Sequence, residues 1–221
     1  ERQFIGDLAH ELKTPLTILR GEIELALAKK RTANEYKQTL EEALADTKGL
    51  AVTLANILDL AWSRTDAKKE SVNLSETVVE IVEVAKKLAL AKKQIIKTRV
   101  KKNIFVLGKK DKLSRAILNL VDNAIKFSPE KGIIEIELLE KKGRAGIKVS
   151  DNGVGVSKAD LPHVFERFYR GKRVTKMAGT GLGLAITSAI IKAHGGMVEI
   201  KNKRGKGTAV IIYLPVFSKT S

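Results

Sequence analysis

The chain has 221 residues, with 41 Lys and Arg against 25 Asp and Glu, and a formal net charge of +16. Its hydrophobic fraction of 43% is that of a globular protein, and its length suits one large or two modest domains. The absence of cysteine excludes a disulfide scaffold, thiolate zinc sites and cysteine catalysis. No apolar run reaches the ~20 residues of a membrane span. The chain opens on Glu1-Arg2-Gln3, with no initiator Met and no signal-peptide pattern, and reads as a soluble piece of something longer.

Charge divides the sequence. Residues 1–63 hold 8 basic and 10 acidic residues, net −2, whereas residues 64–221 hold 33 and 15, net +18. Two units are expected, with all the excess positive charge in the second. Its lysines come as scattered pairs, Lys86-Lys87 and Lys101-Lys102 among them, with few aromatics between. No nucleic-acid motif accompanies them, so they read as a solvated surface.

In the first unit the apolar positions Ile5, Leu8, Leu12, Leu16, Leu19, Ile23 and Leu27 recur at steps of three and four, a helical stripe. The stripe stops near Lys29-Lys30-Arg31. Asn34 is the expected N-cap of a second helix carrying Tyr36, Leu40, Leu44, Leu50, Leu54, Ile57, Leu58 and Ala61. A two-helix hairpin cannot cover both of its own stripes, so a homodimer that completes a four-helix bundle is expected. His10 lies two residues from both Leu8 and Leu12, which at 100° per residue turns it to solvent. Glu11 adjoins it and Thr14 follows one turn on, before Pro15, which is expected to interrupt the helix. A solvent-facing histidine beside a carboxylate suits a nucleophile with its base; taken alone, such a residue is more often an ordinary surface histidine.

Residues 64–70 read as a polar linker. Beyond them come a strand near 72–74, a helix capped by Ser75 and running to about residue 90, strands near 94–99 and 104–107, and a helix over 110–127. Strands at 133–140 and 145–150, a helix at 157–165, a long basic loop, a helix at 183–194 and strands at 197–202 and 208–214 complete the unit. Short connections between neighbouring strands point to an α+β sandwich, with helices on one face of a mixed sheet.

Four constellations in this unit suit a nucleotide. Asn119 and Asn123, at i and i+4, share a helix face that Lys126 and Phe127 continue. Their amide oxygens suit Mg²⁺ and the lysine suits a phosphate. Asp151-Asn152-Gly153-Val154-Gly155 follows an apolar strand; a carboxylate there can accept from the exocyclic amine of adenine, which guanine lacks at that position. Gly179-Thr180-Gly181-Leu182-Gly183-Leu184 opens a helix whose backbone N–H groups suit phosphate, without matching a dinucleotide fingerprint or a Walker A loop. The preceding segment, 166–180, is rich in Arg and Lys and long enough to be a lid. Gly205-Lys206-Gly207-Thr208 reads by itself as a hairpin turn.

The order of these motifs is specific. His10-Glu11-Leu12-Lys13-Thr14-Pro15-Leu16 resembles the H box of the sensor histidine kinases of two-component systems. Asn119 to Phe127 resembles their N box, Asp151 to Gly155 the G1 box, Phe165-Glu166-Arg167-Phe168-Tyr169-Arg170 the F box, Gly179 to Leu184 the G2 box and Gly205 to Thr208 the G3 box. The resemblance covers nearly the whole chain. It implies a helical hairpin for dimerisation and histidine phosphotransfer over 1–63. A linker at 64–70 and a catalytic ATP-binding domain of the GHKL (Bergerat) type over 71–217 would follow.

By the same resemblance, His10 is the phosphoacceptor and Glu11 its general base, while Asn123 and Asn119 hold Mg²⁺. Lys126 and a lid arginine, Arg167 or Arg170, offset charge during transfer. Phe127, where the family more often shows Tyr, stacks near adenine, and Asp151 reads it. Gly153 and Gly155 shape the G1 turn, and Phe165 and Phe168 anchor the lid. Gly179, Gly181, Leu182, Gly183 and Leu184 cradle phosphates, and Gly207 and Thr208 complete the cofactor site. His163 and His194 are expected to be structural. The phosphoryl group would pass to an Asp of a response regulator, and the His10-Glu11-x-x-Thr14 pattern implies a phosphatase activity in which Thr14 orients the attacking water. Sensor and membrane spans would lie before Glu1, leaving this portion in the cytoplasm. Two alternatives stand beside this reading: a gyrase B-like or MutL-like ATPase, which would lack the His10-Glu11 helix, and a non-catalytic ATP-binding scaffold.

Overall fold

The computed structural model describes the backbone of residues 2–62, 69–171, 180–202 and 207–217. Side chains of the first unit are described for residues 15–51 together with Lys13, Leu54 and Ala55. The chain divides into two compact units, Glu1–Trp62 and Ser63–Ser221.

The first unit is a helical hairpin of α1 (Arg2–Leu27) and α2 (Ala33–Trp62), packed against each other. α1 runs through Pro15 without ending there, contrary to the expected interruption. The second helix is capped by Thr32, not Asn34. Thr32 Oγ1 accepts from Glu35 N at 3.3 Å, and Glu35 Oε2 accepts from Thr32 N at 2.7 Å, a reciprocal capping box. These bonds to Thr32 hold the Glu35 carboxyl below its ordinary pKa. Within a single chain the predicted stripe stays open: Leu16, Ile23, Leu40, Leu44 and Leu54 are all exposed, and Leu27 is 75% exposed.

The second unit is a mixed five-stranded sheet with helices on one face. β1 (Glu70–Asn73) pairs antiparallel with β3 (Phe105–Gly108) in a separate two-stranded ladder. The main sheet has the order β2-β4-β5-β7-β6, built from β2 (Ile95–Val100), β4 (Ile133–Lys141), β5 (Arg144–Ser150), β6 (Met197–Asn202) and β7 (Thr208–Pro215). Among the described residues only β2 and β4 run parallel; the remaining pairs are antiparallel. Alternation on β4 and β5 turns Ile134, Ile136, Leu138, Ala145, Ile147 and Val149 to one buried face. Among the described residues three helices cover the sheet: α3 (Leu74–Ala89) packs on β2 and β4, α4 (Lys110–Phe127) on β5, and α5 (Gly183–Ala193) on β6 and β7. Leu113, Ile117 and Leu120 of α4 and Ile186 and Ile191 of α5 are almost completely buried, each worth about 2 kcal/mol of apolar transfer.

Two local expectations are corrected. The cap of α3 is Asn73, whose Oδ1 accepts from Glu76 N at 3.3 Å. Ser75 is instead drawn into the core, where its Oγ donates to Lys101 O (2.8 Å) and accepts from Ile104 N (3.0 Å). The predicted helix at 157–165 is a run of turns closed by bonds such as His163 N to Asp160 O (2.9 Å) and Glu166 N to His163 O (2.8 Å). Buried Asp160 takes the Tyr169 hydroxyl at 2.8 Å, tying the run to the segment after it.

Candidate nucleotide site

α4 places the N-box residues. Its apolar stripe faces the sheet and α5, and this leaves Asn119, Asn123, Lys126 and Phe127 half-buried along one edge. Asn119 Nδ2 donates to Gly183 O at 3.2 Å, which commits the amide nitrogen and keeps Oδ1 as an acceptor. A Cβ at Gly183 would lie 3.8 Å from Asn123 Nδ2, so both asparagines meet the start of α5. Thr187 Oγ1 bonds both Ala116 O and Gly183 O and locks the two helices together. The Lys126 ammonium lies 5.4 Å from the Phe127 ring centroid. Burial lowers the Lys126 pKa, Asp122 opposes this, and the positive charges of Arg170 and Lys92 add to the lowering. Arg170 of the F box is thereby brought into the field of the N-box lysine.

The G1 turn is built around Asp151, which is buried. Its Oδ1 accepts from Gly153 N (2.8 Å) and Thr208 N (3.2 Å), and its own N–H donates to Thr208 O (2.9 Å). Two glycines are required by close approach. A Cβ at Gly153 would overlap Phe127 O, and one at Gly207 (φ 101°) would overlap Asp151 O and lie 2.8 Å from Asn152 Cα. Gly207 and Thr208 therefore brace the Asp151 carboxylate. Gly155 (φ 70°) turns the chain beside Asn202, whose side chain bonds both Val156 N (3.0 Å) and Val156 O (2.6 Å).

The F and G2 boxes meet through backbone. Gly181 (φ 70°) has no room for a Cβ, which would lie 2.6 Å from Phe168 C and 2.8 Å from Tyr169 O. Phe168 itself adopts φ 62°. Phe165 and Phe168 are half-buried, and Arg167 is exposed. Leu182 is fully buried and caps α5 in helical geometry, so its side chain belongs to the core and only its backbone reaches the site. Gly183 and Leu184 form the first turn of α5, where unpaired N–H groups and the positive end of the helix favour an anion. Gly179, and Gly205 and Lys206 of the G3 box, lie outside the described residues.

His10, Glu11 and Thr14 all lie on α1, and their side chains fall outside the described ones, including the predicted solvent-facing position of His10. His194 is structural, as expected. Its Nδ1–H donates to Ile190 O at 2.7 Å and its Nε2 accepts from Lys109 N at 3.1 Å, a pairing that needs the neutral ring. Burial lowers its pKa accordingly. His163 is exposed and pairs with Glu166 at 2.8 Å.

Several residues that hold the site together were not singled out from sequence. Asn152 Oδ1 accepts from Ile133 N at 2.9 Å, and Asn202, Asp160 and Tyr169 brace the loops. Asn152 and Tyr169 sit inside recognised motifs; Asn202 and Asp160 carry no local signal. No group of three or more His, Cys, Asp or Glu that could hold a metal ion occurs among the described residues, and Asn119 Oδ1 is an amide acceptor at this edge of α4.

Comparison with known proteins agrees with this geometry. Residues 1–66 match the His Kinase A (phospho-acceptor) domain, and residues 108–218 match the histidine kinase-, DNA gyrase B- and HSP90-like ATPase domain. Sensor histidine kinase WalK of Bacillus subtilis is 33% identical over 97% of this chain and 36% of its own length. A mycobacterial sensor histidine kinase structure, MprB, is 31% identical with TM-score 0.62, covering 66% of this chain and 98% of that one. ThkA, solved with response regulator protein TrrA, shares the fold at TM-score 0.78 and 21% identity, over 99% of this chain and 63% of that one. The chain spans 36 to 53% of the length of WalK and its fellow curated relatives. Among the described residues no helix is long and apolar enough to cross a membrane. With a phospho-acceptor hairpin followed by an ATPase domain of the GHKL superfamily, the chain belongs to the sensor histidine kinases of two-component systems.

Proposed function

We propose that this chain phosphorylates its own His10 with ATP and passes the phosphoryl group to an aspartate of a response regulator. The observation that carries the reading is convergence on α4: Asn119 of the N box bonds Gly183 of the G2 box, and Gly153 of the G1 box abuts Phe127. The domain division proposed is a hairpin over 1–63, a linker over 64–70 and the ATP-binding domain over 71–217.

In the transfer, a neutral His10 ring nitrogen attacks the γ-phosphorus, an N–P bond forms, and the bond to the ADP oxygen breaks. Glu11 takes the ring proton as general base. Asp151 holds the G1 turn through Oδ1, which accepts from two backbone N–H groups, and its carboxylate accepts from the adenine amine. Phe127 flanks the base. Lys126 with Arg170 or Arg167 offsets charge on the phosphates. The backbone of Gly179, Gly181, Leu182, Gly183 and Leu184 cradles them, and Phe165 and Phe168 anchor the lid. Asn119 Oδ1 and Asn123 Oδ1 are hard amide donors that suit Mg²⁺, which when bound supplies charge neutralisation at the phosphates.

The regulator aspartate then attacks phosphorus and the N–P bond to His10 breaks. In a separate phosphatase reaction Thr14 orients a water that attacks phosphorus of the regulator's phosphoaspartate, the aspartyl O–P bond breaks and inorganic phosphate leaves; a Thr14→Ala chain that still autophosphorylates and dephosphorylates the regulator at the wild-type rate refutes this role. The exposed stripe of Leu16, Ile23, Leu40, Leu44 and Leu54 supports a homodimer through residues 1–63. Response regulators are the partner class, as for ThkA, and we place the chain as the cytoplasmic portion of a longer membrane-bound sensor.

The test is incubation with γ-labelled ATP and Mg²⁺ beside His10→Gln. Acid-labile, base-stable label lost in the variant is expected. Label retained in the variant refutes the choice of His10, and ATP binding without label in the wild type favours the scaffold alternative.

A further inference from the structure

The C-terminal end of α4 carries Asn123, Lys126 and Phe127, so its position sets the geometry of the site. A helix end leaves its last carbonyls without intrahelical partners. Here they are met by two side chains from a distant corner of the chain. The Lys92 ammonium donates to Ile125 O (3.0 Å), Lys126 O (2.8 Å) and Ser128 O (3.4 Å), so its three N–H groups meet three converging carbonyls. Gln94 Nε2 reaches Ile125 O (3.0 Å), Ser128 O (3.2 Å) and Pro129 O (3.1 Å).

The corner itself is rigid. Lys93, in the left-handed region at φ 51°, ends the 3-10 turn Leu90–Lys92 and lets both flanking side chains reach the same helix end. Lys93 N donates to Leu90 O (3.0 Å), Gln94 N to Ala89 O (3.0 Å), Lys131 N to Lys92 O (2.9 Å) and Ile95 N to Gly132 O (2.8 Å). Gly153 of the G1 turn lies against Phe127 O, where a Cβ would overlap. The last turn of α4 thus meets both the Lys92–Gln94 corner and the turn that holds Asp151. The ammonium also stands at the negative end of the α4 dipole, where a cation is favoured.

We infer that Lys92, assisted by Gln94, is a positioning residue for nucleotide binding: it clamps the C-terminal turn of α4 so that Lys126 and Phe127 face the nucleotide in register with Asp151. The inference rests on reading this site as an ATP site. Lys92 touches no substrate; it acts through residues that hold the bound nucleotide, so its loss is read first in affinity.

The experiment measures ATP affinity by competition with a fluorescent nucleotide, together with KM and kcat for autophosphorylation, on the whole chain. Lys92→Met is expected to weaken ATP binding and raise KM by about tenfold, with kcat at saturating ATP within about twofold. Lys92→Arg, which keeps the charge and several donors, restores most of the affinity. Lys102→Met, which alters an exposed side chain in the turn between β2 and β3, leaves it unchanged. If Lys92→Met does not stay folded at the assay temperature, Lys92→Gln takes its place under the same criteria. Wild-type affinity in the Lys92 variant, a loss of kcat at unchanged KM, or no restoration by Arg overturns the inference. Failure of the wild type to bind ATP overturns the site reading itself and this inference with it.

Discussion

Asp151 holds two tasks that substitution can separate. Its Oδ1 satisfies two backbone donors, Gly153 N and Thr208 N, while Oδ2 is proposed to read adenine. In Asp151→Asn the amide oxygen keeps both backbone bonds and the NH₂ group replaces Oδ2. A donor then faces the donor of adenine, and one charge-assisted bond worth about 1.5–3 kcal/mol is lost, or about 10- to 150-fold in Kd. The same NH₂ group can donate to a guanine carbonyl, so the preference for ATP over GTP shrinks. Asp151→Ala removes the brace as well. Two backbone N–H groups in a buried turn lose their acceptor, at about 1–3 kcal/mol each, which for a unit of this size lowers Tm by on the order of 10 °C. Calorimetric titration with ATP and GTP, with thermal melts of all three chains, reads both effects. An Asp151→Asn chain that binds ATP within twofold of wild type, or melts as low as Asp151→Ala, refutes the division of labour.

Three further outcomes are expected. His194 is held neutral by burial, with its pKa below the ordinary value, so the unfolded chain binds the proton more readily. Its stabilising contribution is whole above about pH 6.5 and falls as pH drops through that value toward the folded pKa, by at most about 1.4 kcal/mol per pH unit. Urea unfolding at pH 7.5 and 5.5 is expected to show a smaller pH difference for His194→Gln than for wild type. Gly207→Ala drives a methyl group into the Asp151 backbone from a positive-φ position; displacement of the G1 turn then weakens ATP binding, read by nucleotide titration, while a neighbouring Thr208→Ser change is tolerated. Leu44→Glu on the open stripe of the hairpin is expected to shift the chain from dimer to monomer in sedimentation velocity, with the fold of the ATP-binding unit retained.

Much of this protein was readable from local pattern. Steps of three and four in α1 and the inside–outside alternation at the middle of β4 and β5 are consequences of helix and strand geometry, and they mark apolar faces before any tertiary contact is known. The order of the six boxes likewise named the family, because backbone turns and phosphate cradles demand particular residues at particular spacings. Even so, local rules misled where two candidates competed. Asn34 and Ser75 are both good caps by composition. Thr32 prevailed because Glu35 could close the box, and Asn73 because the core claimed the Ser75 hydroxyl for Lys101 and Ile104. The segment 157–165 has helical spacing but is held in turns, with Asp160 committed to Tyr169 rather than left to solvent.

What only the tertiary structure decided are relations between residues far apart in the chain. Gly207 must be glycine because the Asp151 carbonyl passes where its Cβ would stand. Lys92 looked like one more member of a solvated lysine pair, yet its ammonium closes a helix that ends 35 residues later. A sequence displays periodicity and the chemical identity of each side chain, since both are local. It does not display which carbonyl lies within reach of which ammonium, since that distance is set by the packing of α4 against the corner at Lys92 and the turn at Asp151.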